Sequence, residues 1–218
     1  MKTIATAALL VLTAASASVS AQTAPYTVGK DYVEISNGRP LDPASGVIVV
    51  EEFFNYICPA CNAFEPLFVA WAARQPDYVK VEHIPATFRA DFVPYAKAYY
   101  AAVSLNLADK THAEVYKAIH AEHSLPAEGD RPSEERIAEF YGKHGVDSAT
   151  FLATMRSFGN DVKVRRATEY MQRARVPSTP TLVVNGKYLV RGESYQDMLQ
   201  IASFLIAKER AATAGASN

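Results

Sequence analysis

Residues 49–66 read VVEEFFNYICPACNAFEP and contain both cysteines of the 218-residue chain, Cys58 and Cys61. The run 47–54 is apolar on both faces except for two glutamates, which is typical of a central strand in a sheet that is covered on both sides. Residues 58–74 then place apolar side chains at helical spacing. The cysteines are therefore expected where a buried strand gives way to a helix.

Three kinds of chemistry use two cysteines at this spacing. A structural disulfide across so short a loop stabilises a fold by only about 2 kcal/mol, which is little for a chain of this size. Structural zinc usually takes four Cys or His ligands, and the five histidines are scattered. His112, His120 and His123 can share a helical face, but such a face is ordinarily solvated. A redox pair is the interpretation that has a mechanism.

A redox function follows from the position of Cys58 at the start of a helix. Unpaired backbone N–H groups and the positive end of the helix dipole favour a thiolate there, which predicts a lowered pKa for Cys58. Pro59 suits the first turn, where its missing N–H costs nothing. Cys61 lies one turn later on the same face and is predicted to be the buried partner that resolves a mixed disulfide.

The N-terminal segment has the pattern of a secretory signal peptide. A short positive start precedes an uncharged apolar run at 4–15, and Val19-Ser20-Ala21 fits a small-x-small cleavage site. We predict cleavage after Ala21, with 15–17 as a second possible site, and hence an exported chain in which disulfides persist. The formal net charge of −1 gives no electrostatic reason for a nucleic-acid or anionic-membrane partner.

Hydrophobic periodicity divides the chain into short strands and a block of helices. The predicted strands span residues 32–35, 47–54, 79–84, 181–184 and 188–190. Helices are predicted at residues 94–105, 111–122, 133–143, 148–158 and 161–173. Asn185-Gly186 marks a hairpin between the last two strands, and Ser194 with Asp197 starts a final helix. Removal of the helical block leaves a small α/β unit in two pieces, so the block is interpreted as an insertion.

Three segments together resemble the DsbA family of bacterial periplasmic thiol-disulfide oxidoreductases: YTVGKDYVEI at 26–35, residues 49–66, and VPSTPTLVVNGKYLVRG at 176–192. The resemblance covers nearly all of the chain that follows the signal peptide. It implies an α/β thioredoxin fold with an inserted all-helical domain. The expected division is a signal peptide at 1–21, a first thioredoxin-fold segment at 22–90, the inserted helical domain at 91–165, a second thioredoxin-fold segment at 166–211 and a flexible tail at 212–218.

The resemblance also implies roles for single residues. Cys58 and Cys61 match the nucleophilic and the buried cysteine of the family. Pro180 matches the cis-proline that thioredoxin-fold enzymes place against the disulfide, and the backbone of Thr179 is then expected to pair with a substrate peptide. Glu52 matches a partly buried acid that can carry the proton of Cys61 during resolution. The alternative for Glu52 is a structural acid that neighbouring groups satisfy.

One departure from the family pattern lies between the cysteines. The best-known members have Cys-Pro-His-Cys, whereas this chain has Cys-Pro-Ala-Cys. Ala60 supplies neither an imidazolium nor side-chain N–H groups to the Cys58 thiolate. The sequence therefore predicts a less depressed pKa and a weaker oxidant than in relatives that carry histidine.

The sequence as a whole predicts a thiol:disulfide oxidoreductase that donates its Cys58–Cys61 disulfide to newly exported, reduced proteins in the periplasm. By resemblance, a membrane DsbB-like protein is expected to reoxidise it. A monomer is expected, and no metal or organic cofactor is implied. Two alternatives remain at this point. One is a disulfide reductase or isomerase on the same scaffold, and the other is a peptide-binding chaperone with an incidental cysteine pair.

Overall fold

The computed structural model describes residues 25–215 of the chain. The predicted signal peptide, residues 1–21, lies outside this range. Among the helices of the described range, none is both long enough and apolar enough to cross a membrane.

A five-stranded mixed sheet forms the centre of the fold. In chain order its strands are β1 (Tyr32–Glu34), β2 (Ile48–Phe54), β3 (Val79–Pro85), β4 (Thr181–Val184) and β5 (Tyr188–Val190). Their order across the sheet is β1-β5-β4-β2-β3, and β2 runs parallel to β3 but antiparallel to β4. The parallel pair requires a crossover connection, which α1 (Pro59–Ala72) provides.

Further helices precede and follow the β4–β5 hairpin. They are α2 (Phe92–Ser104), α3 (Ala108–His120), α4 (Glu134–Gly142), α5 (Ser148–Met155), α6 (Phe158–Arg173) and α7 (Tyr195–Gly215). The first five of these lie between β3 and β4, where the sequence predicts a helical block. They pack mainly on one another, although α2 and α6 also contact β3 of the sheet.

Strand β2 is buried along its whole length, as its two-sided apolar pattern predicts. On one face, Val50 and Leu182 share an apolar core with Phe64 of α1 and Ile201 of α7. On the other face, Phe53 packs against α6. Helices on both faces keep water away from the strand that leads into the cysteine motif.

Helix boundaries in the inserted block differ from the sequence prediction where a cap was misread. Helix α6 begins at Phe158 and not at residue 161, because the Ser157 hydroxyl accepts a hydrogen bond from the backbone N–H of Asn160. The predicted helix 148–158 accordingly ends at Met155. Helix α6 continues past residue 165, where the inserted domain was predicted to end, so no break in secondary structure marks that boundary. The division of the chain into two thioredoxin-fold segments and an insertion stays a prediction.

Helix α7 continues to Gly215 and so includes the first four residues of the segment predicted as a flexible tail, 212–218. Ala211 and Ala212 are strong helix formers. The hydroxyl of Thr213 also donates a hydrogen bond to the carbonyl of Glu209 at 2.6 Å, which adds a contact inside the last turns of α7. Residues 216–218 lie outside the described range.

Candidate active site

Cys58 closes the loop after β2 and is the N-cap residue of α1. Its backbone is extended, with φ −80° and ψ 115°, and its sulfur accepts a hydrogen bond from the backbone N–H of Cys61 at 3.4 Å. Pro59 occupies the first turn, as predicted. Both cysteines are free thiols, and Cys58 is 8% exposed while Cys61 is fully buried. The sulfur of Cys58 is thus the one that a second protein can reach.

Hydrogen bonds to the sulfur lower the pKa of Cys58 from 9.0 to about 6. The largest contribution comes from the thiol of Cys61, and burial acts in the opposite direction. The side chain of Thr179 and the backbone N–H groups of Cys61 and Ala60 add to the lowering. The sequence analysis explained the lowered pKa of Cys58 by the helix N-terminus. In the structure, the neighbouring thiol of Cys61 lowers this pKa more than the backbone N–H groups do.

The pKa of Cys61 is shifted in the opposite direction. Burial, the largest cause, raises the pKa of Cys61, and the hydrogen bond to Cys58 and the negative charges of Cys58 and Glu52 raise it further. A backbone hydrogen bond from Asn55 works weakly against this rise. When one proton is shared between the two sulfurs, it therefore resides on Cys61 and leaves Cys58 ionised.

The loop before β4 brings a second backbone segment to Cys58. The Thr179–Pro180 peptide bond is cis, and the carbonyl oxygen of Thr179 lies 3.6 Å from the sulfur of Cys58. Both residues are half-buried. The structure thus brings together four of the predicted site residues, as two pairs that lie more than a hundred positions apart in the sequence.

Glu52, the fifth predicted site residue, lies in β2 opposite His83 of β3. It is completely buried, and its Oε2 atom lies 3.3 Å from Nε2 of His83. Burial is the main cause that raises the pKa of Glu52 well above its ordinary value, and the negative charges of Glu65 and Cys58 add to it. Glu52 is therefore held as a neutral acid close to the cysteine pair.

The adjacent Glu51 points to the other face of the sheet, as strand alternation requires. Its carboxylate accepts hydrogen bonds from the backbone N–H of Leu41, at 2.7 Å, and from the hydroxyl of Tyr170. Burial, partly offset by these bonds, raises the pKa of Glu51 to about 7. The strand thus buries two carboxyl groups, of which only Glu52 lies on the side of the cysteines.

We expect Glu51→Gln to change how stability depends on pH. The pKa of Glu51 rises from 4.5 in the unfolded chain to about 7 in the folded protein, so the free energy of unfolding falls as pH rises between these values. Glu51 should account for about 2–3 kcal/mol of the decrease in the free energy of unfolding, and Glu51→Gln should lack that part of the decrease. Chemical denaturation at about pH 5 and pH 8 measures it. An equal fall in both proteins would contradict the assignment.

Two residues that support the site were missed by the sequence analysis. The side-chain amide of Asn55 donates hydrogen bonds to the carbonyls of Ala86, at 3.0 Å, and Phe92, at 3.2 Å, and so fixes the loop that carries the cysteines. The hydroxyl of Tyr195, in the first turn of α7, donates to the carbonyl of Ala60 at 3.0 Å. Asn55 lies inside the motif and could have been noticed, whereas nothing local to Tyr195 indicates its contact.

The interpretation of His112 as part of a solvated helical face is wrong. His112 is 9% exposed, and its Nδ1 atom lies 2.8 Å from the hydroxyl of Tyr56. The reason is that α3 packs against the end of β2, where the ring centroids of Phe54 and His112 are 5.2 Å apart. His120 is half-buried beside the backbone of Tyr56, and His123 is exposed.

We expect Ala60→His to lower the pKa of Cys58 below its value of about 6. An imidazolium beside the thiolate supplies an opposite charge, which lowers a neighbouring pKa by about one unit or more. Titration of the thiolate absorbance of the reduced protein measures the change, and Ala60→Gln is the neutral control. If the histidine variant left both the pKa and the redox equilibrium unchanged, the account of position 60 would fail.

Comparison with known proteins matches residues 49–202 to the family described as DSBA-like thioredoxin domain. The thiol:disulfide interchange protein DsbA of Pseudomonas aeruginosa is 36% identical over 211 residues, which are 93% of this chain and 97% of that protein. The same-named protein of Burkholderia cepacia is 30% identical over 210 residues, or 94% and 96% of the two chains. The crystal structure of oxidoreductase DsbA from Xylella fastidiosa aligns with a TM-score of 0.82 at 39% identity, over 85% of this chain and 98% of that one. The predicted thioredoxin fold is confirmed.

Proposed function

The chain belongs to the family of DSBA-like thioredoxin domains and is a thiol:disulfide oxidoreductase, and from this premise we propose that Cys58 and Cys61 form the disulfide that it donates. One observation carries the proposal. Within a single Cys-x-x-Cys pair, the pKa of Cys58 is lowered to about 6 while that of Cys61 is raised. A stable thiolate at the accessible position favours the reduced form, so the disulfide is readily given up.

The reaction runs through a mixed disulfide. A substrate thiolate attacks the sulfur of Cys58 in the enzyme disulfide, and Cys61 leaves and takes up a proton. A second substrate thiolate then attacks the substrate sulfur of the mixed disulfide, and Cys58 leaves as a thiolate. The substrate loses two electrons and two protons. Cys61 takes up one proton and the other is released to solvent, because the reduced enzyme keeps Cys58 as a thiolate at pH 7. The low pKa of Cys58 makes it a good leaving group in the second step.

The lowered pKa of Cys58 also has a calculable effect on the redox equilibrium. A depressed pKa stabilises the folded dithiol form most above the ordinary value of 9.0, and the effect is lost as pH falls through about 6. At pH 7 the gain is on the order of 1 kcal/mol, which corresponds to a few tens of millivolts in reduction potential. The reduced protein is stabilised and the disulfide form is made more oxidising by that amount.

Substrate proteins are proposed to dock along the backbone of Thr179 and Pro180. The carbonyl oxygen of Thr179, 3.6 Å from the sulfur of Cys58, is an acceptor that an extended peptide can pair with while one of its cysteines attacks. The relatives named thiol:disulfide interchange protein support reduced, exported proteins as substrates and the periplasm as the compartment. A membrane DsbB-like protein as reoxidant and a monomeric enzyme belong to the same proposal.

Glu52 is proposed to donate the proton that Cys61 takes up when it leaves. It is a completely buried acid with a raised pKa, and it lies close enough to Cys61 that its ionised form would raise the pKa of that thiol. Glu52→Gln keeps the shape of the side chain and removes its acid function. We expect the variant to be reduced by a dithiol about 100-fold more slowly, because positioned proton transfer commonly contributes that much. Stopped-flow fluorescence of Trp71 follows the reaction, and Glu51→Gln, on the other face of the sheet, is the matched control. Equal rates in the Glu52 variant and the wild type would exclude the role.

Equilibration with mixtures of reduced and oxidised glutathione tests the proposed direction of transfer. A disulfide donor stays largely reduced at ratios that keep a reductase oxidised, so the midpoint distinguishes the two on one scaffold. The chaperone alternative is tested separately by replacing Cys58 and Cys61 together with serine. That variant should lose all oxidase activity, whereas a chaperone would keep its effect on aggregation.

A further inference from the structure

Three ligand-type side chains meet in the space between α1, β3 and α3. Glu65 of α1, His83 of β3 and His112 of α3 each offer one oxygen or nitrogen atom, and these atoms lie within 4.8 Å of one another. Nε2 of His112 is 3.4 Å from Oε1 of Glu65, and Nε2 of His83 is 3.9 Å from Oε2 of Glu65. The three residues come from separate elements, so the fold itself creates the cluster.

The cluster is not explained by hydrogen bonding within the protein. Oε2 of Glu65 and the Nε2 atoms of His83 and His112 are buried, and none has a hydrogen-bond partner among the described residues. Their separations of 3.4 and 3.9 Å exceed the usual N–H···O range of about 2.7–3.2 Å. Ligand atoms at about 2.1 Å from a tetrahedral zinc ion are about 3.4 Å apart. The spacing is closer to that of ligands around one ion than to that of hydrogen-bonded pairs.

The orientation of His112 also fits a metal ligand. Its Nδ1 atom lies 2.8 Å from the hydroxyl of Tyr56, which fixes the ring and leaves Nε2 directed at Glu65. Such a partner on the second ring nitrogen is the usual support of a metal-binding histidine.

The cluster borders a cavity, although Oε2 of Glu65 and the Nε2 atoms of both histidines are themselves buried. A cavity of about 290 Å³ is lined by all three residues and by Asp109, which is exposed. The side chains keep some of their surface open, with 23% for His83, 11% for His112 and 10% for Glu65. The exposed carboxylate of Asp109 in the cavity lining favours the approach of a cation.

We propose that Glu65, His83 and His112 form a binding site for a divalent transition-metal ion, with zinc as the natural occupant. Two imidazoles and one carboxylate are a ligand set that zinc takes with a fourth position open. The carboxyl group of Glu52 is adjacent, with Oε2 3.3 Å from Nε2 of His83. This site is separate from the sulfurs, and the proposal goes beyond the donation of the disulfide.

Titration of the oxidised protein with Zn²⁺ alone, followed by calorimetry, tests the proposal. The disulfide state is essential, because Cys58 and Cys61 as thiolates would bind zinc themselves. We expect one ion per chain, and binding weakened about tenfold or more in Glu65→Gln and in His112→Asn. His123→Asn changes an exposed histidine and should bind zinc as the wild type does. Absence of saturable binding to the wild type, or binding that both cluster variants retain, would overturn the proposal.

A second measurement does not depend on how the variants fold. Oxidised wild-type protein loaded with Co²⁺ should show the intense visible absorption of a four-coordinate nitrogen and oxygen site, without sulfur charge-transfer bands. If the protein showed no more than the weak spectrum of six-coordinate Co²⁺, the proposal would be overturned. Thermal unfolding of the variants without metal shows whether each is folded, and Zn²⁺ should raise the melting temperature of the wild type but not that of a folded cluster variant.

Discussion

Cys58→Ser is expected to reduce disulfide donation to the uncatalysed rate. In the proposed reaction every covalent step passes through the sulfur of Cys58, and a serine hydroxyl can neither form a disulfide nor leave as a thiolate. The only other cysteine, Cys61, is fully buried and has a raised pKa, so it cannot take over the nucleophilic role. The rate at which a reduced, unfolded protein regains its disulfides in the presence of oxidised glutathione measures the loss.

Cys61→Ser is the matched control for that experiment. It keeps Cys58, so it should still form mixed disulfides with substrate or glutathione, but it cannot resolve them internally. The two variants should therefore differ on non-reducing gels, where only Cys61→Ser accumulates covalent complexes. If Cys58→Ser accumulated them instead, the assignment of the two sulfurs would have to be reversed.

Cys61→Ala is expected to raise the pKa of Cys58 by about one to two units, because it removes a charge-assisted hydrogen bond worth about 1.5–3 kcal/mol. The Cys61 thiol is the largest of the causes that lower this pKa. Cys61→Ser replaces the S–H donor by an O–H donor of similar size, so its shift should be clearly smaller. The pH dependence of the alkylation rate of Cys58 by iodoacetamide reports the pKa in both variants, since only the thiolate reacts.

The difference between these two variants separates two physical explanations. If the helix N-terminus determined the pKa, alanine and serine at position 61 would give the same value, because both leave the backbone of α1 in place. If the neighbouring donor determines it, only serine preserves a low value. Equal shifts in the two variants would contradict the hydrogen-bond explanation that the structure supports.

The sequence predicted those features of the site that depend on local patterns. The two-sided apolar run around Glu52 is typical of a central strand, and Pro59 beside Cys58 suits the first turn of a helix that follows it. The Asn185-Gly186 hairpin located the strand that follows Pro180. In each case the signal and the structural feature lie within a few residues of each other.

The rest could not be predicted because it depends on contacts between distant segments. The hydroxyl of Tyr195 lies 3.0 Å from the carbonyl of Ala60, and no local pattern indicates this contact. His83 and His112 come together only because β3 pairs with β2 while α3 packs against the end of β2. Helical periodicity alone placed His112 on a solvated face, since it reports amphipathic spacing and not what covers a helix.

Titration of the reduced wild-type protein, followed by the ultraviolet absorbance of the thiolate, tests the central claim most directly. Cys58 is expected to ionise with a midpoint near pH 6. Cys61 should contribute no further absorbance until well above the pKa of an ordinary thiol, because burial and the neighbouring thiolate hold its proton. A single midpoint at the ordinary thiol value of 9.0, with both sulfurs ionising together, would contradict the account.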